Sequence, residues 1–263
     1  MPTVTVTGDA VWDGVLTVGF AFTVFVVIAQ RFVQSPYGRF ASGKMGVNLD
    51  PRLGWWLMEL PATVVFVAVF VMGSRRSEPM ALVLGGVWLI HYANRGWFFP
   101  LTLRVAEGQK SSFSITVVLA GWFVTAMHGY LNAAWFTEFG HHLSLEWLTD
   151  PRFWVGAVIY YSGLFLVLHS ERVVRKLRDP KDTTGPRYRI PRGGGFRWVT
   201  NPAYLGELIG WAGFALMTWS PAGLLIFCIS AANLVPRAFA THQWYQEKFP
   251  DYPDRKVLIP GIL

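Results

Sequence analysis

Two apolar segments contain polar side chains of the types that act in catalysis. Glu59 lies in WWLMELP, and HYANR contains His91, Tyr92, Asn94 and Arg95. A charged group near the middle of a membrane span costs about 2.5–3.5 kcal/mol on insertion scales, so such residues need a chemical or structural reason. A carboxyl in an apolar pocket can keep its proton and donate a hydrogen bond, as a phenol does. Two such donors on one carbonyl oxygen would stabilise an enolate, which develops when an enone is reduced.

A structural role is the alternative for these residues, because Glu59 could simply neutralise Arg95. Glu59 lies about 9 Å inside its segment, and Tyr92 lies about 15 Å from the end of its own, at 1.5 Å per helical residue. The two side chains are therefore predicted at similar depth on adjacent helices. His128 and Trp122, in a later apolar segment, are interpreted as packing residues.

The composition excludes most classes of soluble protein. The 263 residues are 52% hydrophobic and only 15% charged, whereas soluble domains average about 25% charged residues. The single cysteine, Cys228, excludes a disulfide framework or a multi-cysteine metal site. The adjacent His141 and His142 are more typical of a solvated loop than of a metal site, so we expect no metal. We therefore predict one all-α integral membrane domain over residues 1–263.

About seven stretches are apolar and long enough to cross a bilayer as helices. They run from Val11 to Gln30, Leu53 to Met72, Met80 to Leu101, Ile115 to Phe136, Phe153 to His169, Ala203 to Trp219, and Pro221 to Val235 or slightly beyond. Only Ser220 and Pro221 separate the last two stretches, which predicts a tight helical hairpin.

The distribution of basic residues predicts the orientation. The segment that follows the fifth stretch carries nine Lys and Arg against three acidic residues, whereas the segment after the fourth stretch is mostly acidic or neutral. Because basic loops are retained in the cytoplasm, the N-terminus is predicted outside and the C-terminus in the cytoplasm. Arg75 and Arg76, in the second loop, depart from this rule.

The basic segments could bind two kinds of anion. Cations beside a membrane can contact acidic lipid head groups. Their alternation with aromatic, glycine and amide residues favours a polyphosphate ligand with a base, held by arginine forks and backbone amides. The sequence has no GxGxxG or P-loop pattern, so a nucleotide would bind between helices and loops. We expect no nucleic acid partner, because the cations lie on a short segment beside the membrane.

Five segments together carry a family resemblance. They are WWLMELP, HYANR, HSERVVRKLRD, YRIPRGGGFRWVTNPAYLGELIGW and LVPRAFATHQWYQEKFPDYPDRKVLIP. From about Trp55 to Leu263 the chain closely resembles the steroid 5α-reductases (3-oxo-5α-steroid 4-dehydrogenases), with charge and tryptophan usage similar to a bacterial member. NPAYLGE is also similar to motifs of sterol Δ14-reductases and isoprenylcysteine methyltransferases, but the contexts of Glu59 and Tyr92 favour the 5α-reductases.

The resemblance implies a seven-helix reductase that uses NADPH to reduce the Δ4 double bond of 3-oxo-Δ4 steroids, with hydride delivered to C5 and a proton to C4. Glu59 and Tyr92 match the catalytic pair that holds the C3 carbonyl oxygen, and Trp55 and Met58 are implied substrate contacts. The implied cofactor-binding residues are Arg95, Arg104, Glu171, Arg175, Arg178, Tyr188, Arg189, Asn201, Tyr204, Glu207, Arg237, His242, Tyr245 and Arg255.

The resemblance also implies how the domain is organised. The substrate pocket would lie mainly among spans one to four, and the cofactor site mainly among spans five to seven with loop 170–200 and tail 236–263. We expect a multi-pass protein in contact with membrane lipid, in the inner membrane if the source is bacterial, with a steroid or related lipid entering from the bilayer. Two positions depart from the family: Met58 stands where animal enzymes carry glutamine, and Ala203 stands where asparagine is familiar, with Asn201 nearby.

Three other functions remain open from the sequence. The first is a reductase of another sterol or enone-lipid double bond. The second is a membrane methyltransferase that uses S-adenosylmethionine, which gives little reason for so many arginines. The third is a transport or binding protein with a Glu59–Arg95 relay, which predicts an internal repeat or paired broken helices that the sequence lacks.

Overall fold

The elements of the bundle are helices, apart from two very short strands. The computed structural model describes residues 5–32, 40, 47–104, 113–177 and 188–263. The α-helices within these ranges are α1 (Ala10–Ala29), α2 (Pro51–Met72), α3 (Pro79–Tyr92), α4 (Phe99–Thr102), α5 (Ile115–Ala134), α6 (Pro151–Lys176), α7 (Pro202–Thr218) and α8 (Pro221–Lys248). The strands β1 (Asn48–Leu49) and β2 (Phe113–Ser114) pair antiparallel before α2 and α5.

Every predicted span is helical in the structure. Among the described residues, five helices are long and apolar enough to cross a membrane, namely α1, α2, α5 with its π-helical extension to Phe139, α6 and α8. The other two predicted spans are shorter helices of 14 residues (α3) and 17 residues (α7). A π-helical turn, Ala93–Phe98, joins α3 to α4. The chain is thus a mainly helical membrane protein, while its orientation and exact number of spans stay predictions.

Short polar residues followed by proline begin three of the long helices. The side chains of Asp50, Asp150 and Ser220 accept hydrogen bonds from backbone amides in the first turns of α2, α6 and α8. Proline suits the next position, because that amide has no partner within the helix. Trp219 ends α7 in the left-handed conformation, with φ 44°. The chain turns at this residue and enters α8 two residues later, so α7 and α8 form the predicted helical hairpin.

Glycine allows α6 and α7 to approach backbone to backbone. A β-carbon on Gly163 would overlap the backbone of Gly206 and Gly210. Close contact through small residues is how helices associate in lipid, where burial of apolar surface supplies no net driving force. The adjoining core is aromatic, with Trp88 and Phe214 almost fully buried. The small-residue contact therefore fixes where α7 presents its side chains.

Helix α8 is longer than the sequence predicted. The last span was expected to end near Val235, but the helix continues through Pro236 to Lys248. Arg237, His242 and Tyr245, which were expected in a tail, therefore lie on the helix. The end of the apolar sequence shows where a helix leaves the apolar layer of the membrane. The hydrogen bonds of the helix can continue beyond that point, as they do in α8.

The C-terminal residues return to the beginning of α7. The amide of Thr200 donates to the carbonyl of Lys256 over 2.8 Å, and the amide of Lys256 donates to the carbonyl of Trp198 over 3.1 Å. We call this end of the bundle the tail end. Helix α7 begins there and α8 ends there. Helix α1 runs alongside α8, with Gln30 Nε2 donating to Asn233 Oδ1 over 3.1 Å.

Candidate active site

A cavity of about 550 Å³ lies among the helices. Most of its lining belongs to α1, α2, α5 and the segment around the end of α3, which are the first four predicted spans, and the rest belongs to α7 and α8. Aliphatic and aromatic side chains dominate, as in most sites for small organic molecules. The predicted site residues that line the cavity are Trp55, Met58, Glu59, Tyr92, Arg95 and Glu207.

Arg95 bridges two carboxyl groups at this cavity. Its Nε donates to Oε1 of Glu59 over 2.9 Å, and its Nη1 donates to Oε2 of Glu207 over 3.1 Å. Glu59 is only 3% exposed. The ion pair between Glu59 and Arg95 that the sequence suggested is therefore present, and a second acid from α7 joins it. Because one guanidinium stands between two carboxyls, the cluster can take up one proton and become neutral.

The π-helical turn after α3 positions Arg95. Such turns are rare and occur frequently at functional sites, because the extra residue redirects side chains. Gly96 in this turn packs on Glu59, and a β-carbon there would lie 3.2 Å from Glu59 Cβ. Trp55 Nε1 donates to the carbonyl of Arg95 over 3.1 Å, and the Arg95 guanidinium lies 5.6 Å from the centre of the Trp55 ring. Trp55 thus supports Arg95 as well as lining the cavity.

Tyr92 lies at the depth of Glu59. The indole of Trp88, one turn earlier on α3, donates to the carbonyl of Ala62 over 2.9 Å. Gly96, one turn after Tyr92, packs on Glu59. Tyr92 therefore lies between the levels of Glu59 and Ala62 on α2, as the sequence predicted. Its ring is 3% exposed and packs against Trp88 at 4.7 Å between ring centres.

A second group of predicted residues meets at the tail end. Arg237 is 6% exposed and its Nε donates to the Tyr204 hydroxyl over 3.0 Å. His242 Nδ1 lies 2.6 Å from the hydroxyl of Thr200. The rings of Tyr245 and Tyr252 stack at 5.2 Å. Helix α8, the beginning of α7 and the C-terminal residues thus bring together side chains that the sequence separates widely.

Asn201 has a bracing role at the same end. Its Nδ2 donates to the carbonyls of Ala238 and Val257 over 3.0 and 3.1 Å. These bonds tie the beginning of α7 to α8 and to the C-terminal residues. Its amide hydrogens are thus already used within the protein.

Arg255 is a buried cation that forms no ion pair with an acidic residue in the described part of the chain. It is 7% exposed, and its Nη1 donates to the carbonyl of Pro191 over 3.1 Å. Its Nε is buried and has no hydrogen-bond partner, and no carboxylate of the described ranges lies within ion-pair distance. Burial holds the pKa of this guanidinium below its ordinary value. Since uncompensated buried charge is unfavourable, the site fits an anionic group such as a cofactor phosphate.

Comparison with known proteins shows the family. Residues 111–263 match the family model described as 3-oxo-5-alpha-steroid 4-dehydrogenase. The chain is 37% identical to steroid 5-alpha-reductase DET2 of Solanum lycopersicum and to 3-oxo-5-alpha-steroid 4-dehydrogenase 1 of Rattus norvegicus, over 92% of each chain. It is 34% identical to the Homo sapiens protein of the latter name, over 90% of each chain. The chain belongs to the steroid 5α-reductase family. It is thus a member of an oxidoreductase family, as its sequence motifs indicated.

The other predicted cofactor residues of this steroid 5α-reductase family member occupy varied positions. Glu171 on α6 lines a small cavity beside Arg95 and Glu207, and Arg175 follows one turn later. The ring of Tyr188 meets that of Trp244 edge-on at 4.9 Å. Arg104 and Arg189 are exposed. Arg178 lies outside the described residues.

The residues that line the large cavity but were not predicted at a site include His128 on α5 and Trp211 on α7. His128 had been interpreted from the sequence as a packing residue. A signal for His128 was present in its spacing, because Gly121, Thr125 and His128 fall on one helical face. A small residue and two polar residues on one face of an apolar helix suggest a helix that borders a cavity.

Proposed function

We propose that this reductase family member reduces the Δ4 double bond of 3-oxo-Δ4 steroids with NADPH and forms 5α-3-oxosteroids. The observation that carries the proposal is the location of Glu59, Tyr92 and Arg95 on the wall of a largely apolar cavity of about 550 Å³. A steroid nucleus is a rigid apolar body with a polar oxygen at C3, which this distribution of groups suits. The names of the relatives, steroid 5-alpha-reductase and 3-oxo-5-alpha-steroid 4-dehydrogenase, support the same reaction.

Tyr92 and Glu59 are assigned to the C3 oxygen. When bound, NADPH supplies the hydride, which in conjugate reduction goes to C5. The electron pair of the double bond then moves toward C3, and charge develops on the carbonyl oxygen. Donors already fixed beside that oxygen stabilise the charge without reorganisation. A proton added at C4 completes the saturated ketone and returns the electrons from oxygen to carbon.

The arginine cluster allows Glu59 to act as a donor. One proton shared by Glu59 and Glu207 makes the three-residue cluster neutral, which an apolar surrounding favours over a net negative charge. We assign this proton to Glu59 during turnover. Its Oε1 accepts from Arg95, so a proton on Oε2 would remain available to the substrate.

The tail end is assigned to the cofactor. Arg255 and Arg237 would bind phosphate oxygens, and Tyr204 and Tyr245 would form the surrounding wall. Arg255 is buried and has no acidic partner among the residues that the structure describes, which supports this assignment more than the number of arginines does. We further propose that the steroid reaches the cavity from the bilayer between α1 and α5, where Phe22 lines the cavity and its ring meets that of Phe123 edge-on at 5.1 Å.

A turnover assay tests the proposed function. Purified protein in detergent is incubated with NADPH and progesterone, and mass spectrometry detects a product two hydrogens heavier. We expect the wild type to form this product, and Glu59→Gln and Tyr92→Phe to lower kcat at least tenfold with unchanged NADPH affinity, because each loses a donor used in the transition state.

Matched controls are Glu146→Gln and Tyr161→Phe, which alter exposed residues away from the cavity. Both controls should retain wild-type turnover. If NADPH binds but no 3-oxo-Δ4 steroid is reduced, the substrate belongs to another class of enone or sterol. If Glu59→Gln and Tyr92→Phe abolish NADPH binding, the assignment of these residues to the carbonyl is wrong.

A further inference from the structure

His128 is a buried imidazole whose ring makes no hydrogen bond to any residue that the structure describes. It lies on α5, is 5% exposed and lines the cavity. Its Nε2 is enclosed and has no partner. The backbone carbonyl of His128 accepts from Asn132 Nδ2 over 3.0 Å, but the ring itself makes no hydrogen bond within the described part of the chain. Nδ1, the other ring nitrogen, is not enclosed in this way, so it is the nitrogen that a ligand in the cavity can reach.

The contacts between α2 and α5 fix the depth of His128. Both helices begin at the β1–β2 pair and run in the same direction. The hydroxyl of Thr125 donates to the carbonyl of Met58 over 3.1 Å. A β-carbon on Gly129 would lie 3.1 Å from the backbone nitrogen of Phe66 and 3.4 Å from the carbonyl oxygen of Pro61. His128 falls between Thr125 and Gly129, so it lies beside the stretch of α2 from Met58 to Phe66, which contains Glu59.

Three groups capable of hydrogen bonding therefore share one layer of the cavity. Tyr92 lies between the levels of Glu59 and Ala62 on α2, and the stretch of α2 beside His128, from Met58 to Phe66, includes both of these levels. All three residues line the same cavity.

The position and chemistry of His128 complement those of the other two. A neutral imidazole has one N–H donor and one acceptor nitrogen, and it can act as an electrophile toward a carbonyl. We propose that His128 donates a hydrogen bond to the 3-oxo group of the substrate, as a third residue at the carbonyl end. This inference rests on the proposed function. Nearby Thr125 is not an alternative donor, because its hydroxyl is bonded to the carbonyls of Met58 and Gly121.

The test compares two ligands and three variants. Binding of a 3-oxo-Δ4 steroid and of its 3-deoxy analogue is measured by titration in the presence of NADPH, and kcat/KM is measured for the 3-oxo compound. His128→Leu should weaken binding of the 3-oxo steroid about tenfold, because a hydrogen bond in a dry site is lost. Binding of the 3-deoxy analogue should stay within about twofold, and kcat/KM should fall at least tenfold.

Two variants separate hydrogen bonding from packing. His128→Gln retains an N–H donor, and it should keep kcat/KM within about fivefold of the wild type. Thr125→Val removes a hydroxyl that is already bonded inside the protein, and it should keep the wild-type ratio between the two ligand affinities. His128→Leu should unfold at or above the wild-type temperature, because it removes an unpaired buried polar group.

The outcomes are distinguishable from failure of the proposed function. Turnover by the wild type together with equal loss of both ligands in His128→Leu would show that His128 only shapes the wall. An unchanged 3-oxo affinity in His128→Leu would also overturn the inference. If the wild type neither binds nor reduces 3-oxo-Δ4 steroids, the proposed function fails and the role of His128 fails with it.

Discussion

Arg95 Nε donates to Glu59 Oε1 over 2.9 Å, and this bond joins the π-helical turn after α3 to α2. The same guanidinium reaches Glu207 on α7, so three separate segments meet at one cation. An isolated carboxylate at this burial would be strongly unfavourable. Arg95 therefore has two effects. Its charge stabilises the carboxyl groups of Glu59 and Glu207 beside an apolar cavity, and its two ion pairs hold α7 against α2 and the end of α3.

Replacing Arg95 should destabilise the protein through the two acids that remain. In Arg95→Gln, Glu59 and Glu207 lose their shared countercharge, and we expect a loss of about 3 kcal/mol in the free energy of unfolding. Arg95→Gln combined with Glu59→Gln and Glu207→Gln removes both acids and should recover most of that loss. Thermal unfolding of both variants in one detergent measures the difference. A triple variant as unstable as the single one would mean that charge balance is not what Arg95 provides.

Arg255 should affect cofactor affinity more than stability. In Arg255→Leu we expect the Kd for NADPH to rise at least tenfold, because a charged hydrogen bond to phosphate is worth about 1.5–3 kcal/mol. Without ligand, the variant should be as stable as the wild type or more so, since it removes an unbalanced buried cation. Titration with NADPH and thermal unfolding without ligand give the two quantities.

The control for Arg255 is Arg76→Leu, which changes an exposed arginine in the turn between α2 and α3. This variant should leave NADPH affinity unchanged. A loss of stability in Arg255→Leu with unchanged NADPH affinity would assign Arg255 to the bond with Pro191 and would contradict a role toward phosphate.

The contact between α6 and α7 depends on the absence of a side chain at Gly163. Gly163→Ala places a methyl group against the backbone of Gly206 and Gly210, and overpacking of this kind costs about 1–3 kcal/mol. Gly86 on α3 is the matched control, because a β-carbon there would lie more than 4 Å from every described residue outside its own helical turn. Gly86→Ala should be neutral or stabilising. Equal unfolding temperatures for the two variants would show that the helices separate easily.

The sequence predicts local features of this protein better than it predicts distant partners. Hydropathy identifies the spans because each must satisfy its own backbone in lipid, and helical rise puts Glu59 and Tyr92 at one depth. The bond between Arg95 and Glu207 joins residues 112 positions apart, and no local pattern specifies it. The end of α8 was missed because hydropathy does not report helical hydrogen bonding beyond the apolar layer.

The sequence predicted the charged residues of the site better than the neutral polar ones, because the partners of a neutral side chain depend on distant segments. A charged residue in an apolar segment has a large free-energy cost of insertion, so the sequence alone indicates that Glu59 and Arg95 have a specific role. A histidine can be neutral, and the sequence does not reveal whether its ring nitrogens find partners. His128 became a candidate only when its neighbours on α2 were known. The buried state of Arg255 likewise depends on the return of the C-terminal residues to α7.

Access from the bilayer should depend on the contact between Phe22 and Phe123. Phe22 lines the cavity, and Phe123 is 45% exposed on the outer surface of α5. In a Cys228→Ser background, Phe22→Cys and Phe123→Cys can be joined by a short cleavable bismaleimide. We expect the joined protein to lose most steroid turnover while it keeps its NADPH affinity, and cleavage of the linker should restore turnover. Each single cysteine variant, treated alike, controls for the modification itself. Full turnover with the two helices joined would show that the steroid takes another route, because a fixed α1–α5 seam would then not limit access to the cavity.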